Sequence, residues 1–350
     1  HFMLKEIHEQ PRVIQDTLYN YLSLEGNEID LKLTRNTPVS NILFLSCGTS
    51  YHASLIGKTI IEKLTKIPSR VEIASEFNYI DTALTNPLAI GITQSGETAD
   101  TLKALKKAKE LGFRTMSITN VEDSSAYRLT DEKLLIKAGP EISVAATKSF
   151  VAQLIALYIF ALSIARMDNR SRDRIFGQLR SLPAKVQRML SREEEIAKLA
   201  AYLSKFENMF YVGRGINYAT VLEGALKMKE ISYIHAEAYP AGELKHGTFA
   251  LLTEDTPVVS VIAKDSTYEP ILSNIREIKA RGSPVIALAP EDDEDIEKYV
   301  DHIIRIPETD PIFSPVVNVV ALQLLAYYTA AERDCPIDRP RNLAKSVTVE

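Results

Sequence analysis

The sequence predicts an α/β protein built from two tandem, doubly wound parallel-sheet domains related by internal duplication, with an ordered C-terminal tail. Three observations predict it. The chain aligns with itself over more than 100 residues, each copy alternates short apolar runs with helical patterns, and the first copy has a hydroxyl-rich loop where a strand gives way to a helix.

The repeat comes first. Shifted by 167, Asn41–Phe77 lies on Asn208–Leu244 without a gap. Identical pairs include Asn41/Asn208, Gly48/Gly215, Tyr51/Tyr218, Gly57/Gly224 and Glu76/Glu243. A shift of 170 then places Pro87 on Pro257, Gly112 on Gly282 and Gln153 on Gln323. Collinear matches of this extent imply duplication. In each copy a first apolar run (Ile42–Leu45; Met209–Val212) ends in a glycine-containing turn and opens a helix. A second strand (Leu88–Thr93; Val258–Ala263), a polar loop and an amphipathic helix ending at Gly112 or Gly282 follow. A third strand (Arg114–Thr119; Pro284–Leu288) and a fourth (Lys133–Ala138; His302–Ile306) precede a long apolar helix. Strands alternating with helices imply parallel sheets covered on both faces, which bind ligands at the carboxyl ends of their strands. The expected organisation is a helical lead-in over 1–34, a first domain over 35–168 and a helical connector over 169–201. A second domain over 202–331 and a tail over 332–350 complete it. The acidic run Glu291–Glu297 reads as a solvated helix start.

Length, composition and charge agree with this and exclude several classes. A chain of 350 residues exceeds one comfortable core, and 45% hydrophobic with 25% charged residues is a globular composition. A net charge of −5 argues against nucleic acid as a partner, which needs clustered lysine and arginine. Two cysteines, Cys47 and Cys335, fit a reducing compartment, so a cytoplasmic location is expected, and their spacing suggests no metal site. The apolar stretch Phe150–Ala165 falls short of the roughly 20 residues of a bilayer span, so no membrane association is expected. The start, HFMLKEIHEQPR, lacks the apolar core of a signal peptide and suggests a fragment of a longer protein.

The loop Thr93-Gln94-Ser95-Gly96-Glu97-Thr98 joins a strand to the helix Ala99–Leu111. Outward-pointing N–H groups, the helix dipole and three hydroxyls favour an anion there, although serine and threonine also cap helices with no ligand present. The equivalent loop of the second copy, Ala263-Lys264-Asp265-Ser266-Thr267-Tyr268, has lost the hydroxyl cluster, which argues for a specific ligand in the first. The turn Ser46-Cys47-Gly48-Thr49-Ser50 is also hydroxyl-rich, whereas its counterpart reads Gly213-Arg214-Gly215-Ile216-Asn217. The two turns, on adjacent strand ends, could converge on one phosphate and its sugar; a nucleotide is the lesser expectation, since neither a dinucleotide fingerprint nor a P-loop occurs, and no cofactor is called for.

In the second copy Glu223, Lys227 and Glu230 share one helix face at i, i+4 and i+7. That spacing also describes an ordinary surface ion-pair ladder. Yet Glu223 and Lys227 stand where the first copy has Ile56 and Ile60, so the face is expected to be semi-buried, where acid–base groups are tunable. His52 and His235 read as helical and His302 as strand. His246 sits in an irregular, flexible polar loop, Ala241–Gly247, and is the best titrating candidate. The tail, Arg339 to Glu350, alternates apolar and polar residues as though docked, and its Lys345 could condense with a sugar carbonyl.

At these residues the chain resembles the isomerase half of the glutamine–fructose-6-phosphate aminotransferases, a pair of sugar-isomerase (SIS), flavodoxin-like domains. The matching strings are CGTSYHA (Cys47–Ala53), TQSGETADT (Thr93–Thr101), EGALKMKEISYIHAEAY (Glu223–Tyr239), GELKHG (Gly242–Gly247) and PRNLAKSVTVE (Pro340–Glu350). The resemblance implies a phosphate held by Ser50, Thr93, Gln94, Ser95 and Thr98 around Gly96, with Cys47, Gly48, Thr49, Val144 and Ala344 about the sugar. Lys345 would form an imine with C2 of open-chain fructose 6-phosphate. Glu230 would carry the proton between C1 and C2, tuned by Lys227 and Glu223. His246 would assist ring opening from the neighbouring subunit of a homodimer. Ammonia, released from glutamine by a separate glutaminase domain, would replace the lysine and give glucosamine 6-phosphate; without it the product would be glucose 6-phosphate. Two departures occur: Thr93 stands where the family usually has serine, and Ala146 where a serine often lies near the sugar. A phosphosugar-sensing module, or another phosphosugar isomerase or deglycase, would keep the hydroxyl loop. A sensor has no use for Glu230, His246 and Lys345 together, and the other enzymes would not be expected to carry the tail.

Overall fold

Apolar runs separated by helical periods fold here into two five-stranded sheets. The structure, a computed structural model, describes residues 1–23, 28–31 and 39–348. The expected boundary at 34/35 and the tail residues Val349 and Glu350 lie outside the described residues. Two short helices lead in, α1 (Phe2–His8) and α2 (Gln10–Tyr19). The first sheet and its helices follow as β1 (Ile42–Ser46), α3 (Gly48–Thr65), β2 (Ser69–Ile73), α4 (Ala74–Phe77), β3 (Leu88–Ile92), α5 (Ala99–Glu110), β4 (Arg114–Thr119), α6 (Ser125–Leu129), β5 (Glu132–Leu135) and α7 (Lys148–Ile164). Then come α8 (Asn169–Leu190) and α9 (Glu193–Leu203). The second sheet brings β6 (Asn208–Gly213), α10 (Ile216–Ser232), β7 (His235–Pro240), β8 (Val258–Val261), α11 (Tyr268–Lys279), β9 (Val285–Pro290), β10 (His302–Ile306) and α12 (Ser314–Glu332).

All strand pairings within both sheets are parallel. The orders are β2-β1-β3-β4-β5 and β10-β9-β8-β6-β7; read from the other edge, the second order is the first. The described chain forms two compact units. One comprises Arg12–Glu141, Lys148–Arg180 and Ala344–Glu350 and contains the first sheet; the other comprises His1–Pro11, Ile142–Thr147 and Ser181–Leu343 and contains the second.

The central strands β1 and β3 are buried along their whole length, as a parallel sheet covered on both faces requires. In each unit one long apolar helix packs on the helix that follows the first strand, α7 on α3 and α12 on α10. The repeated glycine explains how closely: a Cβ on Gly57 would meet Leu157 Cδ2 at 2.8 Å, and one on Gly224 would meet Leu322 Cδ1 at 2.7 Å. Gln153 Nε2 donates to Ser50 Oγ (3.0 Å) across the first helix pair, and Asn318 Nδ2 donates to Asn217 Oδ1 (3.2 Å) across the second. Among the described residues α12 is the one helix long and apolar enough to span a bilayer, with a mean hydropathy of 1.3, but 89% of its apolar window is buried inside the protein.

Several sequence expectations are corrected. Each sheet has a fifth strand, β2 or β7, that the apolar runs did not reveal. Both are edge strands with polar sequences, SRVEI and HAEAYP, because only part of their surface meets the core. His235, expected in a helix, opens β7. The acidic run starts no α-helix; turns and the single 3₁₀ turn Asp295–Lys298 take its place, with Lys298 and Lys264 pairing Asp295 and Asp292. The connector is two helices, broken at Ser191–Arg192.

Because Gly224 lets α10 and α12 touch, Gly224→Val should overpack that contact and cost about 1–3 kcal/mol of stability. The urea midpoint measures this; an unchanged midpoint would show that the close approach does not limit packing.

Candidate active site

Parallel strands deliver their following loops to one edge of the sheet, and the hydroxyl loop leaves β3 there. Its hydroxyls are not spent on capping: Thr98 occupies the N-cap of α5 but makes no side-chain cap hydrogen bond. Its Oγ1 instead lies 2.8 Å from Thr93 Oγ1, and Thr93 Oγ1 accepts from Gly96 N–H at 3.3 Å. Ser95 Oγ accepts from Glu97 N–H (3.2 Å), and Glu97 Oε1 accepts from Ser125 N–H (2.7 Å), a bond that holds this carboxylate below its usual range. Backbone bonds fasten the loop to the ends of β4 and α6: Asn120 N–H donates to Gln94 O (3.1 Å) and Ala126 N–H to Gly96 O (3.0 Å). Gly96 has φ +71°, and a Cβ there would sit 2.0 Å from Ser124 Oγ. Only glycine fits.

The turn after β1 supplies a second hydroxyl face in the same unit. Gly48 has φ +55° and opens α3, Thr49 follows, and Ser50 is buried with its hydroxyl accepting from Gln153. Burial pushes the Cys47 thiol up, with Asp100 adding to the effect, so it is a neutral thiol at pH 7 rather than a nucleophile.

The end of the chain docks on this unit. Ala99 N–H, at the first turn of α5, donates to Val347 O at 3.2 Å. Ala344 is exposed, and the next residue, Lys345, places Nζ 2.6 Å from Glu141 Oε2. The Glu141 side chain has no exposed surface. Its Oε1 accepts from Ser149 N–H (3.1 Å) and its Oε2 from Ser149 Oγ (2.8 Å).

The other unit contains the remaining predicted residues. On α10, Lys227 Nζ lies 3.3 Å from Glu223 Oε1 and 2.6 Å from Glu230 Oε2; Lys227 and Glu223 are wholly buried, and 21% of the Glu230 side chain is exposed. The corresponding isoleucines of α3, Ile56 and Ile60, are also wholly buried. Glu223 and Lys227 thus occupy core positions, more deeply than the semi-buried face expected, with Glu230 at their partly exposed rim. Burial by itself would push the Lys227 ammonium down, but Glu223 and Glu230 together outweigh it and hold the pKa above that of a free lysine. His246 ends a 3₁₀ helix, Ala241–His246, rather than sitting in an irregular loop, and it is exposed, followed by Gly247 at φ +138°. Val144 N–H donates to Asp338 O at 3.1 Å.

Glu141 and Gln153 escaped the sequence reading as site residues. Gln153 carried a signal, its identity with Gln323 across the repeat. Glu141 carried none, since a lone acid ahead of an apolar helix reads as a surface residue. Among the described residues no cluster of His, Cys, Asp or Glu could hold a metal ion.

Two outcomes follow from this geometry. Gly96→Ala should displace Ser124 and weaken anion binding at this loop by at least about tenfold, read by calorimetric titration. Lys227→Ala strands two carboxylates and should cost about 3–5 kcal/mol in urea unfolding, much of it regained when Glu223→Gln is added.

Known proteins agree with the fold. The SIS domain family model matches residues 37–163 and 202–333. A glutamine–fructose-6-phosphate aminotransferase [isomerizing] of Caldanaerobacter subterraneus subsp. tengcongensis is 48% identical over 359 residues, covering all of this chain and 59% of that protein; the chain spans about three-fifths of the curated relative. The solved C-terminal domain of glucosamine-fructose-6-phosphate aminotransferase from Francisella tularensis superposes with a TM-score of 0.92 at 39% identity, covering 97% of this chain and 98% of that one. A glucosamine-6-phosphate deaminase from Thermotoga maritima shares the fold alone, with a TM-score of 0.78 at 24% identity over 99% of each chain. By the span of the two domain matches and the full-length likeness to a solved relative, the chain belongs to the SIS domain family and, within it, with the C-terminal domains of the glucosamine-fructose-6-phosphate aminotransferases.

Proposed function

We propose that this chain carries the isomerising and amino-transferring half of such an enzyme, turning fructose 6-phosphate and ammonia into glucosamine 6-phosphate. One observation carries the reading. A hydroxyl loop at a helix N-terminus and an ordered tail lysine belong to one compact unit, with Val347 bonded to the first turn of that helix. A phosphate grip alone suits a sensor; a docked lysine adds covalent chemistry.

In this reading Thr93, Gln94, Ser95, Thr98 and the α5 N-terminus hold the phosphate, with Ser50 beside them. Cys47, Gly48, Thr49, Val144 and Ala344 shape the sugar site. Lys345 condenses with C2 of the open-chain ketose, expelling water. Glu230 moves a proton from C1 to C2. Its contact with buried Lys227, itself backed by Glu223, supports a fixed base that returns the proton it takes. Exposed His246 is assigned to ring opening in the neighbouring subunit of a homodimer. Ammonia displaces the lysine at C2, and the proton shift leaves an amine on C2 and an aldehyde at C1. With water in place of ammonia, the same shift gives glucose 6-phosphate. The relatives' names support glutamine as the ammonia source, drawn from a glutaminase domain outside the matched region. The common strand order supports duplication of one ancestral unit. A cytoplasmic setting completes the proposal, on the two sparse, uncrosslinked cysteines.

The purified chain should convert fructose 6-phosphate to glucose 6-phosphate in a coupled dehydrogenase assay, and Lys345→Ala should reduce the rate by about 100-fold or more. Borohydride with fructose 6-phosphate should label Lys345; full activity in the alanine variant, or a label elsewhere, would remove the imine from this lysine.

A further inference from the structure

We infer that Glu141 seats the Lys345 ammonium and accepts its proton, so that the amine can attack the sugar carbonyl; this rests on Lys345 being the imine-forming residue.

An amine attacks a carbonyl only through a free lone pair, so an ammonium must first give up a proton. The Lys345 Nζ lies 2.6 Å from Glu141 Oε2, within direct transfer distance. The receiving carboxylate is held from two directions, by the backbone N–H and the hydroxyl of Ser149, the second residue of α7. An anion at a helix N-terminus is stabilised by the dipole, so the carboxylate tolerates its lack of exposed surface. Lys345, by contrast, keeps a quarter of its side chain exposed, 25%, and sits on a tail anchored through Val347. The pair therefore joins a rigid acceptor to an accessible nucleophile, which is the division of roles the step needs.

The step balances without any further reactant. Lys345 passes one proton to Glu141, its nitrogen lone pair forms the bond to C2, and the carbonyl electrons move onto O2, which takes one of the two protons left on that nitrogen. Glu141 then returns its proton to the departing hydroxyl, water leaves, and the iminium at C2 remains. When ammonia takes the lysine's place at C2, the released amine regains its proton from the iminium nitrogen that ammonia leaves on C2, and returns to Glu141. The same carboxylate thus serves in forming the imine and in retrieving the lysine.

The test separates proton acceptance from packing. Cyanoborohydride trapping of the Lys345 adduct with fructose 6-phosphate measures imine formation. Glucitol 6-phosphate, which has no carbonyl, measures binding alone. In Glu141→Gln, isosteric but unable to take the proton, trapping should slow by about 100-fold while glucitol 6-phosphate affinity stays within about threefold. Glu141→Asp keeps a carboxylate and should recover a measurable part of the rate. Ser149→Ala, which loosens the acceptor, should slow trapping to a smaller extent. Equal losses of trapping and glucitol 6-phosphate binding in Glu141→Gln, or trapping at the wild-type rate, would overturn the inference and leave the imine assignment standing. If the wild-type chain gives no adduct at Lys345, the functional reading itself fails and takes this step with it. Thermal melting of each variant identifies any that fail to fold; were Glu141→Gln among them, a Glu141→Asp variant trapping no faster than background would count against the inference.

Discussion

In a parallel sheet the carboxyl ends of all strands lie on one edge, so every loop that follows a strand emerges on the same side. The arrangement of the first unit follows from that constraint. The turn after β1, the hydroxyl loop after β3, the junction after β4 and the segment carrying Glu141 after β5 all leave the sheet there. Each loop then needs only local features to finish the site. Gly96 admits a positive φ against Ser124, Glu97 ties the loop to Ser125, and Val347 bonds the tail to the start of α5.

Charge burial sets the second constraint. Each unit places an ionic group where solvent does not reach and compensates it locally. In the first unit Glu141 is met by the Ser149 N–H, the Ser149 hydroxyl and Lys345. In the second, Lys227 is met by two carboxylates on its own helix. Such clusters are a poor route to stability, since well-packed apolar groups would serve as well. The isoleucines of α3 show that this fold packs the same positions with hydrocarbon. A charge kept there against that alternative points to chemistry, because a buried, oriented acid–base pair meets little reorganisation when a proton moves.

The two units treat one scaffold differently. The loop after β3 offers hydroxyls and a glycine, whereas the loop after β8 offers Asp265, whose carboxylate accepts from the Thr267 N–H at 2.8 Å and from the Thr267 hydroxyl. An acid at that helix start occupies the place an anion would take. Conversely, the helix after β1 is apolar where the helix after β6 is ionic. The hydroxyl loop and the buried ionic helix face thus lie in different units of one strand order, consistent with function residing in loops and helix faces rather than in the fold.

The sequence by itself determined the class of fold, the hydroxyl loop and the shared face of Glu223, Lys227 and Glu230. Those features are local: periodicity, turn chemistry and residue spacing act over a few positions of the chain. It missed β2 and β7, because an edge strand with polar residues lacks the apolar run that marks a central one. It also had His246 in an irregular loop, where backbone bonding forms a 3₁₀ helix. Only the tertiary structure decided how far Lys227 is buried, that Thr98 bonds Thr93 instead of capping α5, and where the tail lies. The pairing of Lys345 with Glu141 spans 204 positions of sequence. No local propensity encodes a contact of that range, since it joins two segments far apart in sequence within one compact unit.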